Sequence, residues 1–335
     1  MHVYIIAEAG VNHNGQLNLA LQLCDAAKEA GADAVKFQTW KTENIVTASA
    51  RQAAYQTENT GKEESQYSML KQLELSYDHF KKIQEHCNKI GIDFLSTPDD
   101  EESLAFLMEQ LNLPLVKVGS GEVTNIPYLR TIASCHKPVI LSTGMSTLAQ
   151  VAAAYDTLLQ AGAPNVSLLH CTTNYPCPYD EVNLRAMQTL KEAFKCKVGY
   201  SDHTMGTEIP VAAVAMGAEI IEKHFTLSRM MEGPDHKASL EPQELKLMVE
   251  QIRHIEVALG DGIKQPNRSE AENAKVVQKS ILAKHPIKKG EILTPETLTL
   301  KRAGAGISAA FWDVVVGTKA LYDFDTDEPI TFSKD

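Results

Sequence analysis

Short apolar runs alternate with longer stretches of helical period through most of this chain. Eight runs read as buried strands: Val3 to Glu8, Asp33 to Gln38, Asp93 to Thr97, Leu115 to Gly119, Pro138 to Ser142, Val166 to Cys171, Cys196 to Ser201 and Ala218 to His224. They are nearly continuous in hydrophobicity, the mark of strands covered on both faces. Between them lie amphipathic periods, among them Leu17 to Ala30, Tyr77 to Ile90, Glu101 to Leu111, Ile126 to Ser134, Leu148 to Gly162, Asn183 to Phe194 and Thr207 to Met216. Eight strand-helix units predict a (β/α)8 barrel. An open doubly wound sheet is the alternative, but no GxGxxG follows a strand.

Three stretches depart from this rhythm. Thr39 to Ser76 is polar, shows no strand or long helical period, and reads as a lid or binding loop. Pro242 to Gly260 is a last amphipathic helix with proline in its first turn, and Asp261 to Gln278 reads as a polar linker. From Ser280 onward, short β-like runs and glycines (Gly304, Gly306, Gly317) suggest a compact unit of turns and short strands. The expected division is a barrel over 1–262, a linker over 263–279 and a small domain over 280–335, whose core is marginal at that size.

Composition narrows the function. With 335 residues, 44% of them hydrophobic, the chain can bury a large core, and a net charge of -11 argues against wrapping nucleic acid or an anionic membrane. Any phosphate must be met by a few local cations. The six cysteines form no CxxC pair, which speaks against a disulfide framework or a structural zinc cluster. No signal-like leader precedes the first strand and no run reaches the ~20 apolar residues of a membrane span, so the expected compartment is the cytoplasm.

Polar residues gather where the strands end, and a barrel of this kind places its chemistry at that face. Glu8, Lys36, Gln38, Thr97, Lys117, Ser120, Glu122, Ser142, Thr173, Ser201, His203 and His224 all lie at or just past strand ends. His203 and His224 close successive strands, so their imidazoles would converge as half of a transition-metal site. Lys36 and Lys117 carry apolar neighbours on both sides, which makes outward-facing, solvated lysines a poor reading.

The runs Glu8-Ala9-Gly10-Val11-Asn12-His13-Asn14-Gly15, Val35-Lys36-Phe37-Gln38, Leu95-Ser96-Thr97-Pro98, Lys117-Val118-Gly119-Ser120-Gly121-Glu122, Leu141-Ser142-Thr143-Gly144-Met145 and the two histidine motifs together resemble the sialic acid synthase family. Its members condense phosphoenolpyruvate with an N-acylated hexose, and the last segment resembles their antifreeze-like SAF domain. The resemblance implies that Lys36, Thr97, Lys117, Ser120, Ser142, Thr173 and Ser201 bind phosphoenolpyruvate. It implies that Glu8, Gln38, Tyr175 and Asp235 meet the sugar, and that His203 and His224 hold Mn2+ or Mg2+. Glu122 is the candidate for orienting or deprotonating the attacking water, with capping of a nearby helix as its bland alternative. A homodimer with exchanged C-terminal domains is implied, Arg302 of each reaching the other subunit's sugar site. Thr173 stands where neuraminate-making members often carry Asn. With the Gly121-Glu122-Val123-Thr124-Asn125 and Gly233-Pro234-Asp235-His236-Lys237-Ala238-Ser239 runs, it points to the branch that makes N,N'-diacetyllegionaminate from a 2,4-diacetamido-2,4,6-trideoxy-mannose. N-acetylneuraminate synthesis from N-acetylmannosamine is the next reading. A non-catalytic carbohydrate-binding protein and a metal-dependent aldolase using free pyruvate are readings of other classes.

Overall fold

The computed structural model describes residues 2–52, 56–57, 61 and 64–333. Eight parallel strands form the barrel: β1 (Tyr4–Gly10), β2 (Ala34–Thr39), β3 (Asp93–Pro98), β4 (Val116–Val118), β5 (Val139–Ser142), β6 (Val166–His170), β7 (Val198–Asp202) and β8 (Ile220–His224). The hydrogen-bonded order β3-β2-β1-β8-β7-β6-β5-β4 runs almost full circle, with β3 and β4 side by side at the seam. The chain divides into two compact units, Met1–Gly260 and Asp261–Asp335.

Strand periodicity builds the interior. Residues two apart share a face, so each strand that offers an apolar residue to the lower barrel offers a polar one to the layer above. Ile6, Ala34, Leu95, Ile140, Leu169 and Ile220 pack together in the lower layer. Two residues on from each, Glu8, Lys36, Thr97, Ser142, Cys171 and Glu222 form the layer above. Leu115 and Lys117 repeat the step on β4. Gly199 has no room for a side chain: a Cβ there would lie 2.2 Å from the Ile220 carbonyl oxygen and 2.7 Å from Leu169. The opposite parity, with Ile5, Val35, Phe37, Val116, Leu141, Tyr200 and Ile221, joins the helical layer in the main core.

Two expectations about irregular stretches need correction. The segment after β2 contains helices Thr42–Ile45 and Gln66–Leu73, the second capped by Ser65, and parts of that segment lie outside the described residues. Met69 and Leu73 of that helix pack with Val11 and Trp40, a small core that the polar composition concealed. The expected linker contains helix Arg268–Val277, opened by a reciprocal cap in which the Asn267 side chain accepts from Glu270 N–H and Glu270 accepts from Asn267 N–H. The N-x-x-E signature was present, but the ten helical residues bury none of their side chains and so show no apolar stripe.

The second unit pairs β9 (Lys279–Ala283) and β10 (Leu298–Arg302) antiparallel over a core that includes Ile281, Ile287, Leu293, Phe324 and Ile330. No described helix in either unit is long and apolar enough to cross a membrane.

Candidate active site

The polar layer surrounds a cavity of about 180 Å³ at the C-terminal ends of the strands. At its floor two lysines and two carboxylates interlock. Lys36 Nζ lies 2.7 Å from Glu8 Oε2 and 3.7 Å from Glu222 Oε2, and donates to Thr97 Oγ1 at 3.1 Å. Lys117 Nζ donates to Ser142 Oγ at 2.8 Å and stands 3.5 Å from Glu222 Oε1, which also accepts from Ser201 Oγ at 2.9 Å. Gln38 Nε2 donates to Glu8 Oε1 at 3.2 Å. All four charged side chains are buried.

Burial and neighbours split the two carboxylates. Desolvation raises Glu8 and outweighs Lys36 beside it, so this carboxyl tends toward its protonated form. Glu222 feels the same desolvation, but Lys117 and Lys36 overcome it and hold its carboxyl below the usual range. Desolvation pulls Lys36 down, yet Glu222 and Glu8 together leave it raised; Lys117 ends lowered, by desolvation and by Lys36.

His203 and His224 meet above this floor, their ring centroids 5.3 Å apart, with the Tyr175 ring 4.1 Å from His203. His203 Nδ1 sits 2.6 Å from the Thr172 carbonyl, so Nδ1 carries the proton and Nε2 is left as a lone pair. His224 Nδ1 is buried without a hydrogen-bond partner among the described residues, 3.9 Å from Asp235 Oδ2. Burial lowers both imidazoles, His224 further because His203 is beside it; both are therefore in the neutral form that ligates metals. Two unprotonated imidazole nitrogens facing one cavity, with His224 Nδ1 lacking a hydrogen-bond partner among the described residues, fit a divalent ion completed by oxygen donors. Among the described residues no third His, Cys, Asp or Glu completes a ready-made cluster.

The structure thus brings together Glu8, Lys36, Gln38, Thr97, Lys117, Ser120, Ser142, Thr173, Tyr175, Ser201, His203 and His224 on one cavity wall. Ser120 Oγ accepts from Gly144 N–H at 2.9 Å, and Thr173 Oγ1 is buried without a partner among the described residues. Gly144 keeps this wall open: a Cβ there would lie 2.3 Å from Thr173 Oγ1 and 3.0 Å from Ser120 Oγ and would displace those hydroxyls. Asp235 is buried beside His224, and desolvation raises it to about 6.

Two expected residues belong to other elements. Glu122 ends the 3-10 turn Ser120–Glu122 and accepts from Asn125 Nδ2 at 2.6 Å, while Asn125 caps helix Ile126–Ser134. Glu122 thus holds the capping residue rather than capping the helix itself, and it is not among the residues lining the cavity. Arg302 is an exposed residue of β10, opposite Lys279, in the second unit. Sequence reading missed Glu222 and Asp99, both on the wall. The signal was parity: Glu222 precedes His224 by two, and Asp99 follows Thr97 by two.

An eight-stranded barrel with paired lysines and histidines at its C-terminal mouth defines the architectural class, and sequence comparison gives the family. Residues 23–264 match the NeuB family and residues 278–334 the SAF domain, so the chain belongs to the NeuB family and is an enzyme, a synthase of the transferase class. It is 52% identical to the N,N'-diacetyllegionaminic acid synthase of Campylobacter jejuni, over 97% of this chain and 98% of that one. It is 47% identical to the synthase of the same name from Legionella pneumophila, over 95% of this chain and 90% of the relative. Among solved structures, the N-acetylneuraminic acid synthetase of Leptospira borgpetersenii in complex with citrate aligns with a TM-score of 0.72 at 37% identity, covering 82% of this chain and 91% of that one.

Proposed function

We propose that the enzyme condenses phosphoenolpyruvate with 2,4-diacetamido-2,4,6-trideoxy-mannose to give N,N'-diacetyllegionaminate and phosphate. The observation that carries this reading is the buried Lys36-Lys117 pair converging on Glu222 beneath His203 and His224. Two desolvated cations suit the phosphate and carboxylate of phosphoenolpyruvate, and hydroxyls of Thr97, Ser120, Ser142, Thr173 and Ser201 line the same wall. The names of the Campylobacter and Legionella relatives support the sugar.

In the reaction, C3 of phosphoenolpyruvate attacks the open-chain aldehyde carbon, the aldehyde oxygen takes a proton, and water adds to the cationic C2. The tetrahedral product then expels phosphate. The split between the carboxyls assigns the proton traffic: Glu8, raised by burial, holds a proton to give to the aldehyde oxygen, and ionised Glu222 receives one from the water. Glu222 suits this better than Glu122, which is engaged with Asn125. Protonation of Glu8 also frees Lys36 for the incoming anion. His203 and His224 would hold Mn2+ or Mg2+, whose contribution would be Lewis-acid polarisation of the aldehyde. Gln38, Tyr175 and Asp235 are the sugar contacts.

We further propose a cytoplasmic homodimer in which each SAF domain serves the other subunit, Arg302 gripping the sugar's acyl or hydroxyl oxygens with its guanidinium fork. Mixing Arg302→Ala with His203→Ala subunits tests this. If Arg302 acts in trans, one site per hybrid is intact and each hybrid dimer has about half of the wild-type activity; if it acts in cis, none returns.

Phosphate release from phosphoenolpyruvate with Mn2+ and each hexose tests the reaction. We expect release with the diacetamido sugar, and slower release with N-acetylmannosamine. Release with N-acetylmannosamine alone would replace this substrate with that of neuraminate synthesis. No release with either would overturn the reaction, and condensation of free pyruvate without phosphate would make the enzyme an aldolase.

A further inference from the structure

Two aspartates leave β3 side by side and are treated in opposite ways. Asp100 is satisfied on every side: it accepts from Ser103 N–H at 2.9 Å, Ser103 Oγ at 2.7 Å, Lys41 N–H at 2.8 Å and Asn44 Nδ2 at 3.4 Å, and so caps the following helix and anchors the segment after β2. The Asp99 carboxylate accepts no hydrogen bond and forms no ion pair with any described residue, and it lines the catalytic cavity. Only its backbone is tied, N–H to the Thr39 carbonyl at 3.0 Å. Asp99 is half-buried, so its carboxylate lies on the cavity wall with no protein donor among the described residues and is open to one from a ligand.

Position says which ligand. Thr97, two residues earlier on the same face, touches Lys36 at the cavity floor. Two strand residues span about 6.6 Å, so Asp99 stands that much nearer the mouth, above the lysines. An anionic phosphoenolpyruvate seated on Lys36 and Lys117 would repel a second carboxylate at contact range and favours instead a neutral donor of N–H or O–H groups there. We propose that Asp99 binds the hexose, accepting a hydrogen bond from one of its amide N–H or hydroxyl groups above the seated phosphoenolpyruvate. This rests on the condensation proposed above. Burial raises the Asp99 carboxyl to about 7, with Lys36 opposing and Glu122 and Asp100 adding to the rise, so donors from a bound sugar would meet a group that lacks them in the free protein.

Calorimetric titration of each hexose into phosphoenolpyruvate-loaded wild type, Asp99→Asn and Asp99→Ala tests the assignment, with phosphate release measured in parallel. Loss of a hydrogen bond to a charged acceptor predicts hexose affinity about 10- to 100-fold weaker in Asp99→Ala, with a smaller loss in Asp99→Asn, whose amide oxygen still accepts. Phosphoenolpyruvate affinity should stay within about twofold of wild type, which also shows that the variants are folded. Unchanged hexose affinity, a loss confined to phosphoenolpyruvate, or failure of wild type to bind either hexose would overturn the role. Hexose binding that depends on Asp99 without any phosphate release would instead sink the condensation and leave the sugar contact standing.

Discussion

Strand β8 takes part in two buried charge clusters on opposite faces, Glu222 in one that faces into the barrel and Lys223 in one that faces the helices. The outward cluster is closed. Lys223 and Asp202 are both 0% exposed and paired at 2.5 Å, Lys223 also donates to the Thr204 carbonyl, and Thr204 N–H and Oγ1 bind Asp202 at 3.0 and 3.1 Å. The inward cluster, with Lys36, Lys117, Glu8 and Glu222, is just as buried but looser, with one lysine-carboxylate separation of 2.7 Å and others of 3.5 and 3.7 Å. It opens on a cavity whose wall holds Thr173 Oγ1 and His224 Nδ1 without partners among the described residues. The difference teaches how to read buried charge: a short, hydrogen-bonded pair such as Lys223-Asp202 ties two strands together, whereas a looser cluster beside unpartnered polar atoms on a cavity awaits a ligand.

Deleting one charge from each cluster should have opposite consequences. Lys223→Met strands Asp202 in a dry site, and we expect a loss of about 3–5 kcal/mol in urea unfolding. A loss below about 1 kcal/mol would break the comparison. Lys36→Met should lower phosphoenolpyruvate turnover by about 2–5 kcal/mol in kcat/KM. Its effect on unfolding should be smaller than that of Lys223→Met, because Glu8, already inclined to hold a proton, can neutralise itself. Equal damage to stability from both lysines would mean that the inner cluster is structural as well.

Asp99 offers a finer test through pH. Its folded carboxyl titrates near 7, against about 3.9 for an unfolded aspartate. The folded form therefore binds more protons than the unfolded one between these values, and wild-type stability falls as pH rises through that window. Asp99→Asn removes the penalty. It should be more stable than wild type by about 1–2 kcal/mol at pH 8, discounted for the cavity's access to water, and equal to it at pH 4. Identical pH profiles would show that Asp99 is not desolvated. The smallest effect belongs to the second unit, where Asn267→Ala should cost about 1 kcal/mol in its unfolding by removing the cap of helix Arg268–Val277.

Much of this was legible in the chain. Near-continuous apolar runs ending in polar residues specified the eight strands, and with them the face that carries the chemistry, because strand parity and the β/α rhythm are local properties. The same parity would have yielded Glu222 and Asp99, had each strand been followed past its last apolar residue. The helices Gln66–Leu73 and Arg268–Val277 were hidden, the first because its apolar partners Val11 and Trp40 are distant in sequence, the second because it buries nothing.

What the sequence by itself determined is therefore the architecture and the supply of cations, imidazoles and hydroxyls at one rim. Only the tertiary structure decided their duties. Glu8 and Glu222 are the same residue type on adjacent strands, yet one is raised and the other lowered, because the lysines from β2 and β4 reach across the barrel to them unequally. Asp99 and Asp100 are neighbours in sequence, but Lys41, Asn44 and Ser103 converge on one of them and leave the other facing the cavity. A pKa and a satisfied hydrogen bond are sums over groups that the fold brings together, and no local pattern encodes those sums.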